Sequence, residues 1–372
     1  MKPTHTIFLS LALGLAAVCP NQAEASPLTS VTVNGLTVPM NVISNYAPTV
    51  GLHYWEPYLP CSMDYILAHS TVVYGHPTDY VGQLTDGTNV IVHPTQQQLY
   101  QIATNDPAGT NYYLKLESGA YAGGPPAGAA PPYDSSVLTN VPMYVSVQVP
   151  PDKSFVDLNF YFIYAFNGSQ TIRGLEPARH FNAILNDFAK HEGDVEGISV
   201  RITPDFSKIV FVRFEAHGDS SYYAPNDVLF DGSHPRVSCA LNSHSSYNPK
   251  GFNANDWIVL KDIGGLSEGV DIINDGPIWR PYLNTNLILV GIDANNQPIN
   301  GQLWAAFAGR LGRHQLNDFT SASGVGGGLD FDQQAWAETS GEATEAYLAY
   351  QLANNGLNKY DADNVGVGPG GL

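Results

Sequence analysis

The sequence predicts an all-β protein, a β-sandwich with a few peripheral helices and long loops. Three observations carry that expectation. Short runs rich in β-branched and aromatic residues recur along the chain, turn residues separate them, and only two stretches space their apolar side chains as a helix does. Gly and Pro, at 36 and 26 of 372 residues, stand above ordinary usage, so connections take a large share of the chain.

The elements follow in order. Lys2, the apolar run Ile7–Val18 and the small-residue pattern Ala23-Glu24-Ala25 read as a signal peptide over residues 1–25, which predicts a secreted product starting at Ser26. No later segment is long and apolar enough for a membrane span, so no transmembrane anchor is expected. Strand-like runs then fall at Val31–Val38, Thr71–Tyr74, Asn89–His93, Tyr112–Leu116, Val141–Val149, Val156–Ala165, Ile198–Ile202, Ile209–Ala216, Val237–Leu241, Trp257–Lys261 and Leu287–Ile292. Glu176–Lys190 places Phe181, Ile184, Leu185 and Phe188 at amphipathic helical spacing, and Glu342–Asn354 opens with acids and ends near Gly356. Residues 26–364 are expected to form one large sandwich domain with a C-terminal helical extension, and residues 365–372 a flexible tail.

A formal net charge of -18 opposes phosphate backbones and anionic membrane surfaces, which argues against a nucleic-acid partner. The same excess supplies oxygen ligands for hard cations such as Ca²⁺ or Mg²⁺, or simply a soluble acidic surface. Beyond the leader, Cys61 and Cys239 are the only cysteines, and an exported pair favours a disulfide over two separate buried thiols.

The chemistry concentrates in His191-Glu192-Gly193-Asp194-Val195-Glu196, ahead of the run Ile198–Ile202. Asp194, Glu196, Ile198, Val200 and Ile202 share one parity, so a strand aligns two acids with an apolar face. Buried acids need a partner: a cation, an Arg such as Arg201 or Arg213, or a proton. Apolar matching pairs Ile198, Val200 and Ile202 with Val210, Val212 and Phe214, which puts Asp194 and Glu196 at the rim. His217 then falls on the opposite parity unless a bulge returns it, while His244 ends another strand and can reach the same rim. His191, Asp194, Glu196 and His244 are candidate metal ligands on this geometry taken together with a family resemblance, and His217 and Tyr247 are further site candidates. Tyr247 and Trp257 suit either sugar stacking or ordinary packing.

Five stretches carry a family resemblance. Tyr46–His53 with Tyr58–Ser62, then His191, Gly193, Asp194 and Glu196, then Ser243, His244 and Tyr247 resemble, in order and spacing, elements of the vacuolar protein sorting-associated protein 62 family. Phe214–Gly218 is similar to the intervening strand and histidine, and the resemblance spans roughly residues 46–315; Val195 departs from it where the family usually has Trp. A more distant resemblance links His191, Asp194 and Glu196 to the necrosis- and ethylene-inducing-peptide-like proteins, with Gly193 replacing a second histidine. It implies a divalent cation at a sandwich rim that recognises a glycan or glycolipid headgroup.

Competing readings stay open at this point. Asp194 and Glu196 at glycosidase-like separation permit a carbohydrate-active hydrolase, and a structural or adhesive protein needs them only as braces. Gly265-Leu266-Ser267-Glu268-Gly269 matches the hydrolase elbow literally, yet Val270–Ile273 reads as extended where a helix is required.

Overall fold

The computed structural model describes residues 28–312 apart from 75–87, 106–111, 169–170, 175–181, 185–190, 217–218, 252–255, 264–266, 275, 285, 292–296 and 308–310. The expected signal peptide, the helical extension over 342–354 and the tail lie outside the described residues, as does His217.

A six-stranded sheet forms the centre, in the order Asp219–Tyr223, Ile209–Ala216, His191–Ile202, Val156–Asn167, Met143–Gln148 and Leu287–Leu289. All neighbours are antiparallel except the last pair. Ile198 faces Phe214 and Val200 faces Val212, the pairing that apolar matching predicts, with an irregularity at Arg201/Ile202 that brings Ile202 opposite Ile209.

Alternation along Val156–Asn167 divides the interior in two. Phe160, Phe162 and Tyr164 point into one core with Val200, Val212, Val237 and Trp279; Tyr161, Ile163 and Ala165 point into a second core with Met63, Leu114 and Trp304. A second sheet closes the first core, with Phe230–Asp231, His234–Cys239, Thr49–Gly51 and Ile278–Trp279 in that order and Ser246–Tyr247 paired to His234–Cys239. The result is a β-sandwich. The second core is covered by the helices Met63–Ala68 and Gln96–Asn105 and by the sheet Thr88–Val92, Ser70–Tyr74, Tyr112–Leu116. A further sheet orders Asn182–Ile184, Thr171–Gly174, Ser267–Ile273 and Asp256–Ile263.

Three short helices complete the described chain, and two have local causes. Met63–Ala68 starts at Ser62, whose hydroxyl accepts from Tyr65 N at 3.0 Å, and its first amide is fixed to the sheet by the Tyr144 hydroxyl at 2.9 Å. Met40–Tyr46 follows a hairpin turned by Asn34 and Gly35, both at positive φ. No helix among the described residues is long and apolar enough to cross a membrane.

Two expectations need correction. The predicted helix over 176–190 contains a strand: Asn182–Ile184 pairs with Thr171–Gly174, so sheet hydrogen bonding overrides helical periodicity there, and the rest of that stretch lies outside the described residues. Cys61 and Cys239 are free thiols, not a disulfide. Cys61 packs in the second core and Cys239 in the first, so the central sheet separates them. Burial pushes the Cys61 thiol up to about 12 and the Cys239 thiol further still.

Candidate functional site

At the rim of the first core, three segments distant in sequence meet on His244. The ring is fully buried. Its Nδ1 lies 2.8 Å from Asp194 Oδ2 and its Nε2 3.3 Å from Glu56 Oε1. Tyr164 stacks on it at 3.7 Å between centroids and 3° between planes, and Tyr58 meets it edge-on at 6.4 Å.

Each contributor is placed by its backbone. Asp194 sits on His191–Ile202 opposite Tyr164 of the central strand, which puts its carboxylate beside whatever stacks on that tyrosine. Glu56 arrives on the loop that follows Thr49–Gly51. That loop is stitched to the central strand at the same level, through the Pro60–Tyr164 bridge and the 2.8 Å bond from Cys61 N to Ile163 O. His244 itself has φ 56, and Asn242 two residues earlier has φ 67, so the loop after His234–Cys239 is a tight left-handed turn. Asp271, also buried, fixes both flanks of that turn by accepting from Ser243 Oγ at 2.7 Å and from the Tyr247 hydroxyl at 2.8 Å.

Glu56 is held from two sides, by its own loop and by the same turn. Its Oε1 accepts from Tyr58 N at 2.9 Å, and its Oε2 accepts from Asn242 N at 2.7 Å. Burial alone depresses the His244 pKa; the Glu56 charge and the hydrogen bonds to Asp194 and Glu56 outweigh it and lift the group to about 9. An imidazolium with both N–H groups donating to carboxylates is the species that fits these contacts at neutral pH.

The acidic segment is split by one glycine. Glu192 and Asp194 share parity, yet Glu192 turns away to accept from Leu116 N at 3.1 Å and the Tyr121 hydroxyl at 2.7 Å. Between them Gly193 has φ +68, a backbone state that rotates the chain out of strand geometry. Leu311 O packs so close that an added Cβ would lie 2.5 Å from it.

The sequence-derived candidates therefore distribute unevenly. Asp194 and His244 are brought together. Glu196 shares the face of Asp194 opposite Phe162 and is half-buried, near enough to Cys239 for its charge to help raise that thiol. Tyr247 braces the turn through Asp271. The side chains of His191 and Trp257 lie outside the described residues. Parity places Arg201 and Arg213 on the face opposite Asp194 and Glu196, Arg201 on Asp157 at 2.7 and 2.6 Å and Arg213 on Ser199 and Glu215. Glu56 and Asp271 escape sequence reasoning; the only signal for Glu56 is an acid inside the apolar and aromatic stretch Leu52–Leu59.

His244 presents neither ring nitrogen to open space for a divalent ion, because a carboxylate faces each of them at 2.8 and 3.3 Å. Among the described residues, no three His, Cys, Asp or Glu side chains are grouped to hold a metal ion.

Aromatic side chains surround this centre. Tyr121 stacks on Phe166 at 4.2 Å, Phe166 contacts Tyr58 at 5.1 Å, and Tyr58 leads to His244. Just before Glu56, Tyr54 and Trp55 stand 42% and 56% exposed, edge to face at 5.2 Å.

Among solved structures, the chain is similar to Necrosis and Ethylene inducing Protein 2 from the causal agent of cocoa's witches' broom disease, at 14% identity over 60% of this chain and 71% of that one, with a TM-score of 0.25. It is similar also to the non-toxic HaNLP3 protein, at 12% identity over 76% of this chain and 82% of that one, with a TM-score of 0.28. No curated protein matches the chain. The family model for vacuolar protein sorting-associated protein 62 matches residues 32–260, a span that holds Glu56, Asp194 and His244 together with most of both sheets of the sandwich. The chain belongs to the vacuolar protein sorting-associated protein 62 family.

Proposed function

We propose that this chain is an exported recognition protein whose sandwich rim binds a sugar ring, of a free glycan or a glycolipid headgroup, without turning it over. The observation that carries the reading is the Tyr54–Trp55 pair, exposed to solvent on the loop whose next residue, Glu56, is locked into the His244 centre. Exposed Trp beside Tyr is costly to leave in water and suits the apolar face of a pyranose. The loop behind it is anchored by Glu56 and by the Cys61–Ile163 bond, so the rings are presented with little freedom to lose on binding. The acidic balance of the chain favours neutral or amino sugars over acidic ones. Export is supported by the charge, apolar run and Ala-x-Ala pattern of residues 1–25.

Glycan-array binding followed by titration of tryptophan fluorescence tests the proposal. Trp55→Ala is expected to weaken binding roughly tenfold or more, as loss of an aromatic anchor does, with an unchanged melting temperature. Equal binding by wild type and Trp55→Ala, or no glycan bound by the wild type, overturns it.

A further inference from the structure

Both oxygens of Glu56, both of Glu192 and one of Asp194, five of the acid oxygens at this rim, are already committed to the chain. Hard ions such as Ca²⁺ and Mg²⁺ gather six or more oxygens around themselves. Here both oxygens of Glu56 accept from the chain, Oε1 from Tyr58 N and Oε2 from Asn242 N, and Oε1 also faces His244 Nε2. Asp194 Oδ2 is held by His244 Nδ1, and Glu192 is turned away to Leu116 N and Tyr121.

Softer ions fare no better. A metal-bound histidine donates one ring N–H to a carboxylate and gives the other nitrogen's lone pair to the metal. His244 has a carboxylate at each nitrogen, and the parallel Tyr164 ring covers one of its faces. Gly193 offers no side-chain ligand, and a Cβ there would collide with Leu311 O.

We infer that the rim of this protein is independent of divalent cations, the His244 ring itself joining Glu56 to Asp194 where a bound ion would otherwise be needed. The inference rests on the recognition reading only for its binding arm, because the joining of the two acids is a property of the folded chain. It sets this chain apart from what its resemblance to the necrosis- and ethylene-inducing-peptide-like proteins implies.

The test uses the whole exported chain, incubated separately with Ca²⁺, Mg²⁺, Mn²⁺ and Zn²⁺ and desalted, with elemental analysis and melting curves with and without EDTA. Asp194→Asn and Glu196→Gln are carried in parallel, so that one poorly folding variant does not decide the outcome. Substoichiometric metal and a wild-type melting temperature unmoved by EDTA are expected. One ion per wild-type chain, released by either substitution, overturns the inference, and so does a wild-type melting temperature that falls in EDTA and recovers with Ca²⁺. In the binding arm, affinity for a panel of neutral mono- and disaccharides is expected to be the same in EDTA and in Ca²⁺, and calcium-dependent affinity overturns the inference. Absence of any sugar binding in either buffer removes the recognition reading instead, while metal content and melting curves still decide the cation question.

Discussion

Asp194 Oδ2 and His244 Nδ1 lie 2.8 Å apart, fifty positions apart in sequence, and this contact fastens the acidic strand to the turn that follows the second sheet. The pair is buried, and Glu56 closes it from the far side. Removing a charge from such an assembly leaves the opposite charges without compensation, at a cost of about 3–5 kcal/mol. His244→Ala is therefore expected to lower the unfolding free energy by that order in urea titrations, and Asp194→Asn, which keeps an acceptor oxygen for Nδ1–H, by less. Equal and small effects from both would show that the ring is not what holds the two acids.

The protonation of His244 gives stability a pH dependence of definite sign. Its pKa is raised from 6.5 to about 9 on folding, by Glu56 and Asp194 against the opposing effect of burial. A raised folded-state value stabilises the protein fully below the unfolded pKa, and that contribution fades as pH rises through the folded one. The melting temperature is expected to fall between pH 6.5 and about 9, with a total loss on the order of 3 kcal/mol at most. In His244→Gln this slope is absent. A wild-type curve flat over the interval contradicts a charged ring.

The architecture was largely legible in the chain because strands buried on one face announce themselves. Ile198 and Val200 against Phe214 and Val212 fix both the pairing and its register, and the same alternation in Val156–Asn167 assigns Phe160 and Phe162 to one core and Tyr161 and Ile163 to the other. The site was half legible. Asp194 and His244 stand in motif-like segments, whereas nothing local ties Glu56 to either; it is delivered by the bridge between Pro60 and Tyr164, a tertiary contact. Parity also fails at Gly193, where one left-handed residue sends Glu192 and Asp194 to different partners although a strand would align them. The amphipathic reading around Ile184 fails for a similar reason, since an available strand edge at Thr171–Gly174 decides the conformation.

That role for Gly193 can be separated from the general cost of a side chain at positive φ. Gly128 has φ +81 with nothing within 4 Å of an added Cβ, while at Gly193 the Cβ would meet Leu311 O at 2.5 Å. Gly128→Ala is expected to cost only the backbone strain, about 1–2 kcal/mol. Gly193→Ala adds the collision and displaces Asp194 from His244, so its unfolding free energy drops by more and the pH slope between 6.5 and about 9 flattens with it. Equal losses at the two glycines in parallel denaturant titrations would mean that the Leu311 backbone simply moves aside.

The two thiols offer a covalent measure of how the sandwich is divided. Cys61 and Cys239 lie on opposite sides of the central sheet, and burial holds even the lower of them near 12. At pH 8 only about one Cys61 in ten thousand is then a thiolate, the form that reacts with alkylating agents. A chain begun at Ser26, which leaves out Cys19, is expected to resist iodoacetamide while folded and to take up two carbamidomethyl groups once unfolded without a reductant. Its melting temperature is expected to be the same with and without dithiothreitol, whereas a bridge across so long a loop would be worth about 4–5 kcal/mol on the chain-entropy model. Labelling that requires prior reduction would place the two sulfurs in contact and contradict the separation of the cores.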